Sequence, residues 1–220
     1  MTNAEIERMR MAANAALLII DVQRAIDDPV WSKEGPRNNP EAERNIAQLL
    51  EHWRAMTRPI FHIRHDSVKA GSPYRPDRPG NALKAETQPL DGEPIIPKTT
   101  NNAFIGTGLE QRLRGTGIDA LVIAGVITNN SVEATVRMAG NLGFNTYLVE
   151  DATFTFARRD YRGVLWSAEE VHAMSLANMD GEYCKVVYGR VPDDLSTEAH
   201  ASVAVQKSAS FFPRVRDADF

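Results

Sequence analysis

Six stretches of this chain are apolar or β-branched over four or more residues, and between them apolar positions recur at helical spacing. Ala15 to Ile20 is a continuous apolar run, the pattern of a central parallel strand buried on both faces. Pro59 to Ile63, Pro94 to Pro97, Ala120 to Ala124, Asn145 to Val149 and Tyr183 to Tyr188 read as further strands. A helix is predicted over Pro40 to Met56: Pro40 suits its first turn, and Ile46, Leu49, Leu50 and Trp53 form its buried stripe. Shorter helices are predicted from Thr107 or Gly108 to Leu113 and Arg114, and from Val132 to Leu142. Another begins after Ser167, followed by Glu169 and Glu170, with Val171, Met174, Leu176 and Met179 as its apolar positions. Residues 4–13 read as a short surface helix.

This alternation predicts an α/β fold, a three-layer α/β/α sandwich around a mainly parallel sheet of about six strands. One domain is expected over residues 1–192. The polar, Ala/Ser-rich stretch 193–220 reads as a poorly anchored tail or an arm that wraps a neighbouring subunit. Residues 27–39 and 68–97 are loops rich in Pro and Gly, and a segment as long as the second usually covers a site or forms an interface.

Composition narrows the partners. The 220 residues carry a formal charge of -4 and no basic run, which argues against nucleic acid. No apolar stretch reaches membrane-spanning length and no signal-peptide layout opens the chain, so no membrane partner and a soluble, cytoplasmic protein are expected. The single cysteine, Cys184, excludes an internal disulfide and sits in a strand-like run, where filling core is its expected role.

Three candidate groups fall at predicted strand ends. Asp21 follows the first strand, Lys98 the third, and Ser131 lies in the polar turn after the fourth. Open α/β sheets keep their sites at the carboxyl ends of strands. A bland alternative stands beside each: Asp21 as a turn cap, Lys98 as a solvated side chain, Ser131 as the N-cap of the helix that follows. His62, His65 and Asp66 raise the question of a metal, but no third histidine or carboxylate cluster lies near them, and no metal site is expected. Phe154 and Phe156 follow the fifth strand, placed either to wall a pocket or to pack. No G-x-G-x-x-G follows the first strand, which counts against a dehydrogenase.

The segments ALLIIDVQ, HIRHDS, GSPYRPDRPGNALK, EPIIPKTTNNAFIGTGLEQRLR, AGVITNNSVEATVRMAGNLGF and TYLVEDATFTF resemble the isochorismatase-like hydrolases, also called the cysteine hydrolases, over roughly residues 15 to 190. The resemblance implies the three-layer fold, a homo-oligomer, no cofactor, and hydrolysis of a small molecule, in most members at an amide. It also implies an Asp–Lys–Cys triad that maps to Asp21, Lys98 and Ser131, a non-proline cis peptide at Val126–Ile127, and an oxyanion hole from the N–H groups of Ile127 and Ser131. Gln23, Trp31, His65, Phe104 and Phe154 are the expected substrate contacts.

Serine at position 131 departs from the family pattern. Serine holds its proton far more tightly than cysteine, and a carboxylate is a poor base for it, so a weak nucleophile is expected. Three functions follow: an amide or ureide hydrolase, a vinyl-ether hydrolase in which Asp21 protonates carbon and no covalent step is needed, or a binding protein on the same scaffold.

Overall fold

A computed structural model describes residues 14–188. The helix expected over 4–13 and the tail over 193–220 lie outside the described residues. Six parallel strands form the central sheet: β1 (Ala15–Ile20), β2 (Ile60–His65), β3 (Ile95–Lys98), β4 (Ala120–Val126), β5 (Asn145–Phe154) and, last in the chain, β8 (Lys185–Val187). Their order is β3-β2-β1-β4-β5-β8, so the continuous apolar run of β1 lies inside the sheet, as its composition predicted.

Alternation along β1 sends Leu17 and Ile19 to one face and Leu18 and Ile20 to the other. Helix α1 (Ala42–Ala55) covers the first face with Ile46, Leu50 and Trp53, and the Trp53 indole N–H donates to Ala15 O at 3.2 Å. Helices α2 (Leu109–Gly115) and α3 (Glu133–Asn141) cover the second, with Leu109, Leu113 and Val136. The three-layer α/β/α expectation holds. Residues 158–166 form an antiparallel ribbon that periodicity did not predict, β6 (Arg158–Arg159) with β7 (Leu165–Trp166), because strands of two residues carry no readable alternation.

Helix α4 (Ala168–Ala177) starts where predicted, on a reciprocal cap between Ser167 and Glu170. Its buried face differs from the expected one. Ala168, His172, Ser175 and Leu176 face inward, while Met174 is exposed. These positions follow i, i+4, i+7, i+8, so the helical period is intact; two polar residues occupy the stripe because each finds a partner. Ser175 Oγ donates to Glu133 Oε2 at 2.6 Å, and His172 Nδ1 lies 2.8 Å from Thr128 Oγ1.

Candidate active site

The carboxyl ends of β1, β3 and β4 bring Asp21, Lys98 and Ser131 together beneath one cleft. Asp21 is the first residue beyond β1 and adopts φ 54°, a left-handed conformation that aspartate tolerates better than most residues. Lys98 is the last residue of β3. Ser131 lies in a widened helical turn, Thr128–Val132, between β4 and α3, and the Val126–Ile127 peptide that enters this turn is cis. All three side chains are nearly closed to water, at 3%, 2% and 6% exposure.

Lys98 Nζ donates to Asp21 Oδ2 at 2.7 Å, to Thr100 O at 3.0 Å and to Ser131 Oγ at 3.3 Å. Three donors meet three acceptors, which is the full capacity of an ammonium. Asp21 Oδ1, by contrast, is buried without a partner. Burial pushes the Asp21 carboxyl above its usual range, against the opposing pull of Lys98 and of hydrogen bonds from Lys98 and Ser131. A buried carboxyl with one anchored oxygen and one unpartnered oxygen, raised above its usual range, can accept or donate a proton.

The cleft above this cluster has a volume of about 420 Å³, and its walls include Ile26, Trp31, His65, Tyr74, Ile127 and Asn130. Trp31 and His65, two of the expected substrate contacts, line this cleft. Trp31 packs edge-on to Tyr74 at 6.0 Å, as does His65 at 5.7 Å, and the Trp31 N–H is spent on Ala25 O. Burial pulls the His65 imidazole below its usual value, and its Nδ1 is buried without a partner.

The other expected contacts lie elsewhere. Gln23 is fully buried and spends its amide on the main chain: Oε1 accepts from His65 N at 2.7 Å, and Nε2 donates to His65 O and Asn81 O. It ties the end of β2 to the residues after β1. Phe104 stacks on Phe144 at 5.9 Å on the α2/α3 side of the sheet, drawn there by apolar burial. Phe154 is fully buried against Ile26, Ala42 and Val126, with the Arg37 guanidinium 4.0 Å over its ring. It supports the cleft wall from behind.

His62 and Asp66 do not converge with His65 on a common point. His62 Nε2 lies 2.8 Å from Glu93 Oε2, and Asp66 is engaged by Arg64 and Asn81. Among the described residues no group of three or more His, Cys, Asp or Glu side chains could hold a metal ion. Cys184 is buried far along the chain from Ser131, and burial pushes its thiol up to about 12, which makes it inert at neutral pH. Among the described residues no helix is long and apolar enough to cross a membrane.

Sequence reasoning missed Tyr74 and His172. Tyr74 sits in the Pro/Gly-rich 68–97 segment, and its buried hydroxyl donates to Asp21 O at 3.4 Å; an aromatic residue inside a polar loop was the available signal. His172 was hidden by the apolar residues around it. Burial pulls His172 down to about 4 from 6.5. Because its folded value lies below its unfolded one, the unfolded chain binds the proton more tightly, so this contribution is complete above pH 6.5 and is lost as pH falls towards 4. The loss is expected on the order of 2 kcal/mol after allowance for solvent screening. Urea unfolding midpoints between pH 7 and pH 4 measure it; a His172→Asn protein with an unaltered acid slope would assign the slope to other groups.

An isochorismatase domain matches residues 15–186 of the chain. An isochorismatase-family protein from Chromobacterium violaceum, known from its crystal structure, is 59% identical and superposes with a TM-score of 0.77, covering 80% of this chain and 90% of that one. The isochorismatase family protein YrdC of Bacillus subtilis is 43% identical over 177 residues, 80% of this chain and 93% of the relative. Streptothricin hydrolase of Streptomyces noursei is 32% identical over 144 residues, 64% of this chain and 50% of the relative. With the domain spanning nearly all the described residues, this chain belongs to the isochorismatase family of hydrolases.

Proposed function

We propose that this protein hydrolyses a C–N bond, that of a small amide or ureide, with Asp21, Lys98 and Ser131 as the reacting groups. The observation that carries this reading is their convergence from three strand ends, with Lys98 Nζ 2.7 Å from Asp21 Oδ2 and 3.3 Å from Ser131 Oγ, and Asp21 Oδ1 free of any hydrogen bond. The Ser131 proton passes to the Asp21 carboxylate as Oγ attacks the carbonyl carbon. The N–H groups of Ile127 and Ser131 donate to the oxyanion. Collapse expels ammonia or an amine, which takes the proton back from Asp21, and water then releases the acid from the Ser131 ester. Lys98 holds Asp21 in place and stabilises charge on Oγ. The hydrolase name of the Streptomyces relative accords with this class.

Ammonia release from a panel of small amides and ureides tests it. Ser131→Ala is expected to abolish release, and Asp21→Asn to lower kcat roughly a hundredfold or more. Ser131→Cys is expected to raise the rate roughly tenfold or more, since a thiol gives up its proton to a carboxylate far more readily. Unchanged turnover in Asp21→Asn would refute the assignment.

One observation favours a second reading. A buried carboxyl pushed above its usual range and open at Oδ1 suits a general acid, which would protonate the carbon of a vinyl ether so that water attacks the resulting cation. In that case Ser131→Ala retains activity.

A further inference from the structure

Ser131 and Asn130 line the cleft, whereas the first two residues of their turn are tied behind it by polar side chains. Thr128 Oγ1 lies 2.8 Å from His172 Nδ1 and 3.3 Å from Thr153 Oγ1. Thr153 Oγ1 in turn donates to Gly125 O at 2.6 Å. Asn129 Oδ1 accepts from Thr155 Oγ1 at 2.5 Å, and Thr155 N–H donates to Asn38 Oδ1 at 2.8 Å. Asn39 Nδ2 completes the set by donating to Thr153 O at 2.7 Å and Glu150 O at 2.9 Å.

Thr153 spends its hydroxyl proton on Gly125 O, and His172 Nε2 lies 3.5 Å from Asn39 Nδ2. Thr128 Oγ1 and His172 Nδ1 share one short hydrogen bond, whose donor is set by the imidazole tautomer. The chain of bonds runs from β5 and α4 to the residue that opens the turn of Ser131. An apolar side chain at 172 would fill the space but leave the buried Thr128 hydroxyl only its longer contact to Thr153, and the turn would shift to satisfy it.

We propose that His172 is a positioning residue: through its 2.8 Å hydrogen bond to Thr128 it sets the turn, and with it the approach of Ser131 Oγ to Lys98 and Asp21. The proposal deepens the reading of Ser131 as the attacking group and rests on it for its catalytic meaning. His172 touches no substrate. It borders a separate groove of about 470 Å³, whose walls include Asn39, Glu150, Glu169 and Asp180.

The test needs no substrate. In a Ser131→Cys protein, the rate of alkylation by iodoacetamide at position 131 reports how that side chain is held against Asp21 and Lys98. Peptide mass separates it from labelling at Cys184, which is buried. Adding His172→Leu is expected to lower the rate roughly tenfold or more while the urea unfolding midpoint confirms a folded protein. His172→Asn, which keeps a hydrogen-bonding group near the Nδ1 position, is expected to retain most of the rate. Imidazole supplied to a His172→Ala protein is expected to restore part of it through the groove. On any confirmed substrate, kcat falls and KM stays. A folded His172→Leu protein alkylated at the parent rate would overturn the proposal. Should that variant fail to fold, Thr128→Val removes the same hydrogen bond and is read by the same two outcomes. Because alkylation is read without turnover, loss of the C–N hydrolase reading leaves this result standing or falling by itself.

Discussion

Replacing Lys98 with methionine is expected to abolish turnover and to produce a stability deficit that grows as pH rises. Lys98 Nζ is the only cation within hydrogen-bond reach of the buried Asp21 carboxylate among the described residues, at 2.7 Å from Oδ2. Methionine fills a similar volume without charge, leaving that carboxylate unpaired. Removing one partner of a buried ion pair costs roughly 3 kcal/mol or more, limited here by the ability of Asp21 to take up a proton. The Asp21 pKa is already raised by burial, so its contribution is present below 3.8, its unfolded value, and is lost as pH rises through the folded value. Without Lys98 the folded value rises further and the window widens upward. Urea midpoints of the two proteins compared from pH 5 to pH 8 should therefore diverge with increasing pH. A deficit of constant size would mean that Lys98 contributes packing alone.

Gly125→Ala is expected to cost at least about 3 kcal/mol, with little folded protein at 37 °C. Gly125 has φ 126°, a region that residues with a side chain rarely enter, and a Cβ there would stand 2.2 Å from Ile20 O and 2.6 Å from Ile20 N. Those atoms belong to paired backbone inside the sheet, where Ile20 is the register partner of Gly125, so neither strand can move aside cheaply. Asp21 is the next residue after Ile20. Any molecules that do fold would carry a displaced Asp21 and lose the 2.7 Å contact to Lys98, so activity should fall further than the folded fraction. Circular dichroism on heating, combined with turnover per folded molecule, separates the two effects. Parent-like stability would mean that β1 and β4 spread at their ends without penalty.

Local pattern determined much of this protein. An unbroken apolar run can only lie inside a covered sheet, and a polar residue directly after such a run has to turn at the strand's end. Asp21, Lys98 and Ser131 were therefore legible as a set before their distances were known. The stripe of α1 was legible for the same reason, since helical period and solvent exposure are both properties of neighbours in the chain.

Tertiary structure decided what those positions meet. Phe104 and Phe154 had the composition of a pocket wall, yet one stacks on Phe144 and the other packs behind the wall. Gln23 had the position of a substrate contact, but its amide is consumed by His65, 42 residues away. His172 interrupts the apolar pattern of α4 and is buried because Thr128, 44 residues earlier, offers it a hydrogen bond. Hydrophobic periodicity reports whether a side chain is dry. Burying a polar group requires a partner from another element, and only the folded chain brings that partner within reach.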